Sequence, residues 1–264
     1  MSEKKGAVFF DIDGTWLRWQ LFDEWIRLAI EFGILPRIVH EFAVKERQRY
    51  LTRQGSFSDF VKILVKSYQQ DGRLKGVRIS DAKLVAERAM EQRGDHVHVF
   101  TRELASAAKD VGMPCAVISG SFQEAVEVFA KANGIEIFYG TEHPHENGFF
   151  TGGEPLVWAT QKDEAVKQIA LEHDIDLKAS VAIGDSVSDA KMCELVGYPI
   201  CFNPERALLL IARAERWPVV LEKKDIRLIF KGDSNGLLQE RPLSNVLPQE
   251  LANSLDLRLS MLCP

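Results

Sequence analysis

The sequence of 264 residues lacks the features of several large protein classes. Its four cysteines form no CxxC pair, which argues against a zinc ribbon and against a disulfide framework. No stretch approaches the roughly 18 consecutive apolar residues that a membrane span requires. The 33 basic and 38 acidic residues give a net charge of −5, so there is no broad basic surface for nucleic acid.

These absences predict a location and exclude some partners. Scattered cysteines indicate reduced thiols, as in the cytosol. The first apolar run ends at Asp11, which is too early for a secretory signal peptide. We therefore expect a soluble cytoplasmic protein that binds neither nucleic acid nor a membrane. A hydrophobic content of 46% and a charged content of 27% are ordinary for such a protein.

Hydrophobic patterning divides the chain into two parts. Residues 6–12 form a continuous apolar run, typical of a strand buried on both faces. Residues 16–94 have helical spacing and no evident strand, and strands then alternate with helices. We predict a doubly wound, Rossmann-like α/β core with a parallel sheet, over residues 1–15 and 95–230, and an all-helical cap over residues 16–94.

The chain ends in a segment that the alternating pattern does not include. The last predicted strand covers residues 217–221, and residues 231–264 form a C-terminal extension. Four leucines of this extension lie near one helical face: Leu251, Leu255, Leu259 and Leu262. We expect a short helix here that docks on its own core, and we hypothesise that it contributes to a homodimer.

Three predicted strands of the core end in polar residues. Asp11 and Asp13 follow the first strand, Ser119 ends another, and Asp185 with Asp189 follows a third. Ligands of open parallel sheets bind beyond the carboxyl ends of the strands, so these residues should meet at one edge. Carboxylates gathered there repel one another unless a cation lies among them, and all-oxygen ligation favours Mg²⁺.

The same edge carries groups suited to a phosphate. Lys162 begins a predicted helix and supplies positive charge. The Ser119 hydroxyl and the backbone amides of Gly120 and Ser121, at the start of another helix, supply hydrogen-bond donors. The composition of the predicted site is therefore that of a phosphoryl-transfer centre.

Four strings in this order resemble the signature motifs of the haloacid dehalogenase superfamily. They are Asp-Ile-Asp-Gly-Thr at 11–15, Ile-Ser-Gly-Ser at 118–121, Lys162, and Gly-Asp-Ser-Val-Ser-Asp at 184–189. The resemblance covers most of residues 6–221. It is closest to the branch that contains phosphoserine phosphatase, whose helical cap follows the first motif.

The resemblance implies a role for each catalytic residue. Asp11 is the implied nucleophile, which forms an aspartyl-phosphate. Asp13 is the implied acid that protonates the leaving oxygen and the base that then activates water. Ser119, Gly120 and Lys162 are implied to hold the phosphoryl oxygens, and Lys162 also offsets the charge of Asp11.

The resemblance also implies a magnesium site. Its ligands are the Asp11 carboxylate, the Asp13 backbone carbonyl and Asp185. Asp189 is implied either as a ligand through water or as a brace for the other groups. An aspartate two residues after the nucleophile favours phosphatase or phosphotransferase chemistry over dehalogenation.

The chain departs from phosphoserine phosphatases at positions where those enzymes recognise their substrate. Gln20 stands in the place of a cap glutamate that meets the substrate ammonium, and Ser188 replaces a common asparagine. The cap arginine that binds the substrate carboxylate has only candidates here, namely Arg47, Arg49 and Arg53. These departures put phosphoserine in doubt as the substrate without affecting the phosphoryl chemistry.

Two further patterns favour structural roles. The histidines of two His-x-His strings have no matching metal ligands and are expected at the surface: His96, His98, His143 and His145. Four aromatic residues at the start of the cap favour core packing over a substrate wall: Trp16, Trp19, Phe22 and Trp25.

The sequence therefore predicts a Mg²⁺-dependent phosphatase. Its substrate would be a small phosphorylated metabolite, hydrolysed through an aspartyl-phosphate. Two alternatives remain open, namely a phosphotransferase between small metabolites and a regulatory or binding module that carries a phospho-aspartate without turnover.

Overall fold

A computed structural model of the chain describes residues 4–52, 54–55, 60, 63, 65–66, 73–224, 226–233 and 237–262. Its helices, numbered here in chain order, are α1 (Leu21–Glu31), α2 (Ile38–Leu51), α3 (Ile79–Arg93), α4 (Val99–Asp110), α5 (Gln123–Ala132), α6 (Lys162–Glu172), α7 (Ala190–Cys193), α8 (Arg206–Glu215) and α9 (Gln249–Leu262). Its strands are β1 (Val8–Phe10), β2 (Cys115–Phe122), β3 (Ile137–Glu142), β4 (His145–Glu146), β5 (Phe149–Phe150), β6 (Leu156–Val157), β7 (Val181–Gly184), β8 (Tyr198–Phe202), β9 (Val219–Lys223), β10 (Ile226–Gly232) and β11 (Leu238–Glu240).

One large sheet forms the centre of the molecule. Its strand order is β11-β10-β9-β8-β7-β1-β2-β3-β6, and all neighbours from β9 to β3 are parallel. The residues of β1 are buried, and Val8 pairs with Cys115 on one side and with Val181 on the other. A central strand covered on both faces needs a continuous apolar run, which explains its sequence. The prediction of a doubly wound α/β core is confirmed.

The sheet extends further than the sequence analysis predicted. Beyond β9, the last strand that the sequence predicts, β10 pairs antiparallel with β9 and β11 pairs antiparallel with β10. The predicted core boundary at residue 230 therefore divides β10, and part of the predicted extension belongs to the sheet. A third antiparallel pair joins β6 to the end of β3.

The segment predicted as the cap packs around a strongly amphipathic helix. Leu21, Trp25 and Leu28 are buried on one face of α1, the spacing that a helix requires for a single apolar face. The Trp25 indole Nε1 donates a hydrogen bond of 2.9 Å to the Ala82 carbonyl on α3. The predicted helical segment at 57–64 lies mostly outside the described residues.

The aromatic residues at the start of the cap are part of the core. Trp16, Trp19, Phe22 and Trp25 are all buried. The Trp25 ring stacks on Phe122 at 4.0 Å between centroids, which joins the cap to the end of β2. These residues therefore pack between the predicted cap segment and the α/β core domain. The sequence favoured this packing role over a substrate wall.

The C-terminal helix α9 docks on the core of its own chain. Leu251, Leu255 and Leu259 are buried in the main hydrophobic cluster, against α4. The Arg258 guanidinium Nε lies 2.7 Å from the Asp110 carboxylate at the end of α4. In the part of the chain that the structure describes, no helix is long and apolar enough to span a membrane.

The start of α4 is capped by a carboxylate from the sheet. Glu222 on β9 accepts hydrogen bonds from the backbone amides of Val99 and Phe100, at 3.0 and 2.7 Å. His98 Nδ1 lies 3.2 Å from the same carboxylate. Negative charge is favourable beside these amides because a helix N-terminus carries partial positive charge. Glu222 therefore joins β9 to α4.

We expect Glu222→Gln to lower the free energy of unfolding by about 1–2 kcal/mol at neutral pH. Burial opposes ionisation, but the bonds from His98, Phe100 and Val99 prevail and lower the pKa of Glu222. Its stabilisation is therefore present above the ordinary glutamate pKa of 4.5 and is lost as the pH falls through the lower folded pKa. Urea unfolding at pH 7 and pH 4 measures this, with the exposed Glu240→Gln as the control. An equal effect of both variants would contradict the capping role.

Candidate active site

The predicted catalytic residues of three strands meet at one edge of the sheet. Asp11 follows β1, and its backbone amide donates to the Ile183 carbonyl on β7 at 3.0 Å. Ser119 lies within β2, and Asp185 follows β7 directly. Because β1 lies between β2 and β7, the topology of the sheet brings these residues together. The prediction that Gly120 and Ser121 begin a helix is wrong, because β2 continues to Phe122 and α5 starts at Gln123.

Lys162 forms a buried ion pair with two aspartates. Its ammonium Nζ lies 2.7 Å from Asp11 Oδ1 and 2.5 Å from Asp189 Oδ1. Only 1% of the lysine is exposed. Burial disfavours its charge, but Asp11 and Asp189 outweigh that effect and raise the pKa of Lys162. Lys162 is therefore a permanent positive charge beside Asp11.

Asp189 braces the loop that follows β7. Its Oδ2 accepts hydrogen bonds from the backbone amides of Asp185 and Ser186, at 3.1 and 2.9 Å, and from the Ser186 hydroxyl at 3.0 Å. Gly184 allows this approach, since a Cβ there would lie 2.3 Å from the Asp189 Cβ. Of the two roles that the resemblance implied for Asp189, the geometry favours the brace.

Three carboxylates crowd together at the site. One oxygen each from Asp11, Asp185 and Asp189 lies within 4.8 Å of the others. Burial raises the pKa of Asp11, as do the neighbouring Asp189 and Asp13, while Lys162 opposes the rise. Burial also raises the pKa of Asp185 well above the ordinary value, with further contributions from Asp11 and Asp189. One ammonium therefore does not balance the cluster, and a divalent cation would restore the ionised forms.

The backbone of the first motif makes room for this cluster. Gly14 has a φ of +89°, which L side chains rarely adopt. A Cβ at this position would lie 2.2 Å from Asp185 Oδ2. Glycine is therefore required both by the turn and by the close approach of Asp185.

Asp13 lies between the cap and β2. Its Oδ1 accepts the backbone amide of Leu21, the first residue of α1. Its Oδ2 accepts the hydroxyls of Ser119 at 3.0 Å and Ser121 at 2.8 Å. Burial raises the pKa of Asp13, although the bonds from Ser121, Leu21 and Ser119 favour its ionised form. The Ser121 hydroxyl was missed by the sequence analysis, which used only the backbone amide of this residue.

The structure gives less support to the cap residues that were suggested to bind the substrate than to the catalytic residues. Gln20 precedes α1, and within the described residues its buried Oε1 has no hydrogen-bond partner. Arg47 on α2 lies 3.2 Å from Asp23 on α1. Arg49 is paired with Glu46 on its own helix. Arg53 lies outside the described residues.

One expectation for the histidines is wrong. His143 is buried, and its ring stacks on Phe122 at 4.7 Å between centroids. Burial lowers the pKa of His143 to about 4. Its ring therefore acts as a neutral core aromatic beside the end of β2. Among the described residues, the aspartate cluster is the only group of three or more histidine, cysteine or acidic side chains that could hold a metal ion.

Comparison with protein families agrees with this geometry. Residues 8–194 match the family described as haloacid dehalogenase-like hydrolase. The chain belongs to this family. The match includes all four predicted motifs and confirms the resemblance found in the sequence.

Individual relatives include phosphoserine phosphatases. The chain is 28% identical over 244 residues to the phosphoserine phosphatase SerB1 of Mycobacterium tuberculosis, covering 88% of this chain and 74% of that protein. It is 26% identical over 236 residues to the phosphoserine phosphatase of Methanocaldococcus jannaschii, covering 88% and 99%. These similarities confirm the predicted enzyme class, a phosphomonoesterase of the haloacid dehalogenase type.

Solved structures share the fold. A substrate-bound phosphoserine phosphatase complex superposes with a TM-score of 0.58 at 23% identity, covering 84% of this chain and 95% of that chain. A protein of unknown function from Bordetella pertussis superposes with a TM-score of 0.65 at 20% identity, covering 82% and 98%.

Proposed function

We propose that this chain is a Mg²⁺-dependent phosphatase that hydrolyses a small phosphomonoester through an aspartyl-phosphate on Asp11. The observation that carries the proposal is the buried Asp11 carboxylate, which lies 2.7 Å from the Lys162 ammonium and close to the carboxylates of Asp185 and Asp189. Asp13 is near enough for its charge to raise the pKa of Asp11. A nucleophile, a fixed positive charge and a second acidic group are the parts that a two-step displacement at phosphorus requires.

In the first step, a carboxylate oxygen of Asp11 attacks phosphorus and a P–O bond forms. The bond from phosphorus to the ester oxygen breaks, and Asp13 transfers a proton to that oxygen, so an alcohol leaves. In the second step, water attacks the phosphorus of the aspartyl-phosphate and Asp13 accepts its proton. The bond between phosphorus and the Asp11 oxygen breaks, inorganic phosphate leaves, and both carboxyl groups return to their starting forms.

The neighbouring groups stabilise the charge that moves in these steps. Lys162, the Ser119 hydroxyl and the Gly120 amide are proposed to hold the phosphoryl oxygens. The buried position of Lys162 makes its charge more effective than a surface lysine would be, because less water screens it. Asp189 keeps the ammonium in place through the 2.5 Å contact.

The donor set fits magnesium. Asp11 and Asp185 offer hard oxygen ligands from two strand ends, and the crowding of carboxylates there favours a cation. We propose these two carboxylates and the Asp13 backbone carbonyl as ligands, with Asp189 as the brace. When bound, Mg²⁺ neutralises negative charge on the carboxylates and on the substrate phosphate.

The substrate is proposed only as a class, a small phosphorylated metabolite. Two of the relatives described above are named phosphoserine phosphatase, so phosphoserine is one candidate. Gln20 is neutral, however, and in the structure Arg47 pairs with Asp23 of the same cap. We therefore propose a phosphomonoester whose groups other than the phosphate are bound by the cap.

The test is hydrolysis of p-nitrophenyl phosphate by the purified full-length chain. We expect turnover with Mg²⁺, loss of turnover after treatment with EDTA, and recovery when Mg²⁺ is added in excess. A screen of phosphorylated metabolites under the same conditions then identifies the preferred substrate. Failure to hydrolyse any phosphomonoester in the presence of Mg²⁺ would contradict the proposal.

The predicted location and assembly are part of the proposal. The three cysteines among the described residues are buried free thiols, which supports a cytoplasmic protein. The homodimer stays a hypothesis, since α9 uses its buried leucines on its own core.

A further inference from the structure

A bulge at the end of β2 places two serine hydroxyls side by side. Ile118 pairs with Tyr139 on β3, whereas Phe122 pairs with Thr141, so the register shifts between these positions. The extra residues, 119–121, oppose a single residue of β3. The Thr141 hydroxyl donates to the Gly120 carbonyl at 2.7 Å and holds the bulge in shape.

Both hydroxyls reach the same oxygen of the proposed acid–base residue. The Ser119 and Ser121 Oγ atoms lie 3.0 and 2.8 Å from Asp13 Oδ2, and both serines are fully buried. The Ser119 Oγ also accepts the backbone amide of Ser121 at 3.0 Å. Three side chains and one amide thus form a small closed network.

The serine hydroxyls of this network can donate only a limited number of hydrogen bonds to Asp13. A serine hydroxyl has one proton, and Ser119 uses its proton on Asp13. The proposed function, on which this inference rests, requires Ser119 to donate that proton to a phosphoryl oxygen instead. Once the Ser119 hydroxyl donates to a phosphoryl oxygen, the remaining hydroxyl donor to Asp13 Oδ2 in this network is Ser121.

We propose that Ser121 is a positioning residue that holds the Asp13 carboxyl in place while Ser119 binds the phosphoryl group. Ser121 acts through Asp13 and does not touch the reacting atoms. Its removal therefore weakens the proton transfer that Asp13 performs and leaves the attack by Asp11 intact. The Leu21 amide on the other oxygen fixes only one end of the carboxyl group.

This role has a chemical signature that depends on the leaving group. A strongly acidic alcohol leaves without help from a proton donor, whereas a weakly acidic alcohol needs one. p-Nitrophenyl phosphate and phenyl phosphate are nearly equal in shape, but p-nitrophenol is much the stronger acid. A positioning role at Asp13 must therefore affect phenyl phosphate more than p-nitrophenyl phosphate.

The experiment compares kcat/KM of both esters for wild type, Ser121→Ala and Ser121→Thr, because kcat/KM reports the steps up to the departure of the alcohol. For Ser121→Ala we expect a loss of about 10–100-fold with phenyl phosphate, the size of one hydrogen bond to a charged group, and of less than about threefold with p-nitrophenyl phosphate. Ser121→Thr keeps the hydroxyl and should recover most of the loss. Ser119→Ala, in contrast, should raise KM for both esters by a similar factor.

A matched control comes from the surface. Ser254 also donates to an aspartate, Asp110 Oδ2, at 3.2 Å, and Ser254→Ala should leave both kcat/KM values unchanged. Urea unfolding of each variant checks that the fold is kept.

Each result of this comparison either supports or overturns the positioning role of Ser121. Unequal losses on the two esters, recovered in Ser121→Thr, support the positioning role. Equal losses on both esters, or no loss, overturn this role while the proposed phosphatase function stands. If the wild-type enzyme hydrolyses neither ester nor any other phosphomonoester, the proposed function fails, and this inference fails with it.

Discussion

Replacing Asp11 by asparagine is expected to lower the hydrolysis of p-nitrophenyl phosphate by at least about 10⁴-fold. Asparagine has nearly the same size as aspartate, but its amide does not attack phosphorus. The fold should be kept, because Lys162 retains its contact of 2.5 Å with Asp189. Steady-state kinetics with Mg²⁺ measures the loss, and circular dichroism checks the fold.

The control for this variant is Asp256→Asn. Asp256 lies on the exposed face of α9, and its substitution makes the same chemical change far from the site. Unchanged activity of Asp256→Asn beside an inactive Asp11→Asn would support the nucleophile. Retention of more than about a tenth of wild-type activity in Asp11→Asn would contradict its role, since a nucleophile contributes far more than tenfold.

Replacing Lys162 by methionine is expected to destabilise the protein by about 3–5 kcal/mol, the usual effect of breaking a buried ion pair on one side. Methionine fills a similar volume but leaves the carboxylates of Asp11 and Asp189 without their ammonium. Urea unfolding at neutral pH in the presence of EDTA measures the loss. Activity should be lost as well, because the charge beside Asp11 is gone.

The same helix provides a matched control. Lys167 on α6 is exposed, and its ammonium lies 2.7 Å from Glu164 in a surface ion pair that water screens. Lys167→Met should therefore leave the unfolding midpoint unchanged. The double variant Lys162→Met/Asp189→Asn should be less destabilised than Lys162→Met alone, because one unpaired charge has been removed. Equal midpoints for the two lysine variants would contradict the account of the ion pair.

The placement of Asp11, Ser119 and Asp185 could be predicted because one rule determines it. Short apolar runs marked the parallel strands, and the carboxyl ends of such strands meet at one edge. The Lys162 position followed from the start of a helix. These inferences need only the order of strands and helices along the chain, which hydrophobic periodicity reveals.

Two parts of the fold could not be predicted in this way. The hairpin from β9 to β10 turns at Lys224, which has a φ of +58°, and its sequence lacks the glycine or asparagine that usually marks a hairpin turn. The neutral, buried state of His143 depends on the rings of Phe122 and Phe150, which come from β2 and β5. Both features depend on tertiary contacts that a local pattern does not contain.

The hydrogen-bond and ion-pair partners of side chains at the site could not be predicted from the sequence either. The Ser121 hydroxyl reaches Asp13 because of a bulge, and a bulge between β2 and β3 has no signal in the sequence of β2 alone. The direction of Arg47 toward Asp23 depends on how α1 and α2 pack. The substrate residues of the cap are therefore the part of the site that the sequence predicted least.

The most direct measurement is to identify the residue that carries phosphate during turnover. Wild-type enzyme is mixed with labelled p-nitrophenyl phosphate and Mg²⁺, quenched in acid, and mapped by peptide mass spectrometry. We expect one acid-stable, base-labile acyl phosphate on Asp11, absent from Asp11→Asn. Phosphate on another residue, or turnover by Asp11→Asn at the wild-type rate, would contradict it.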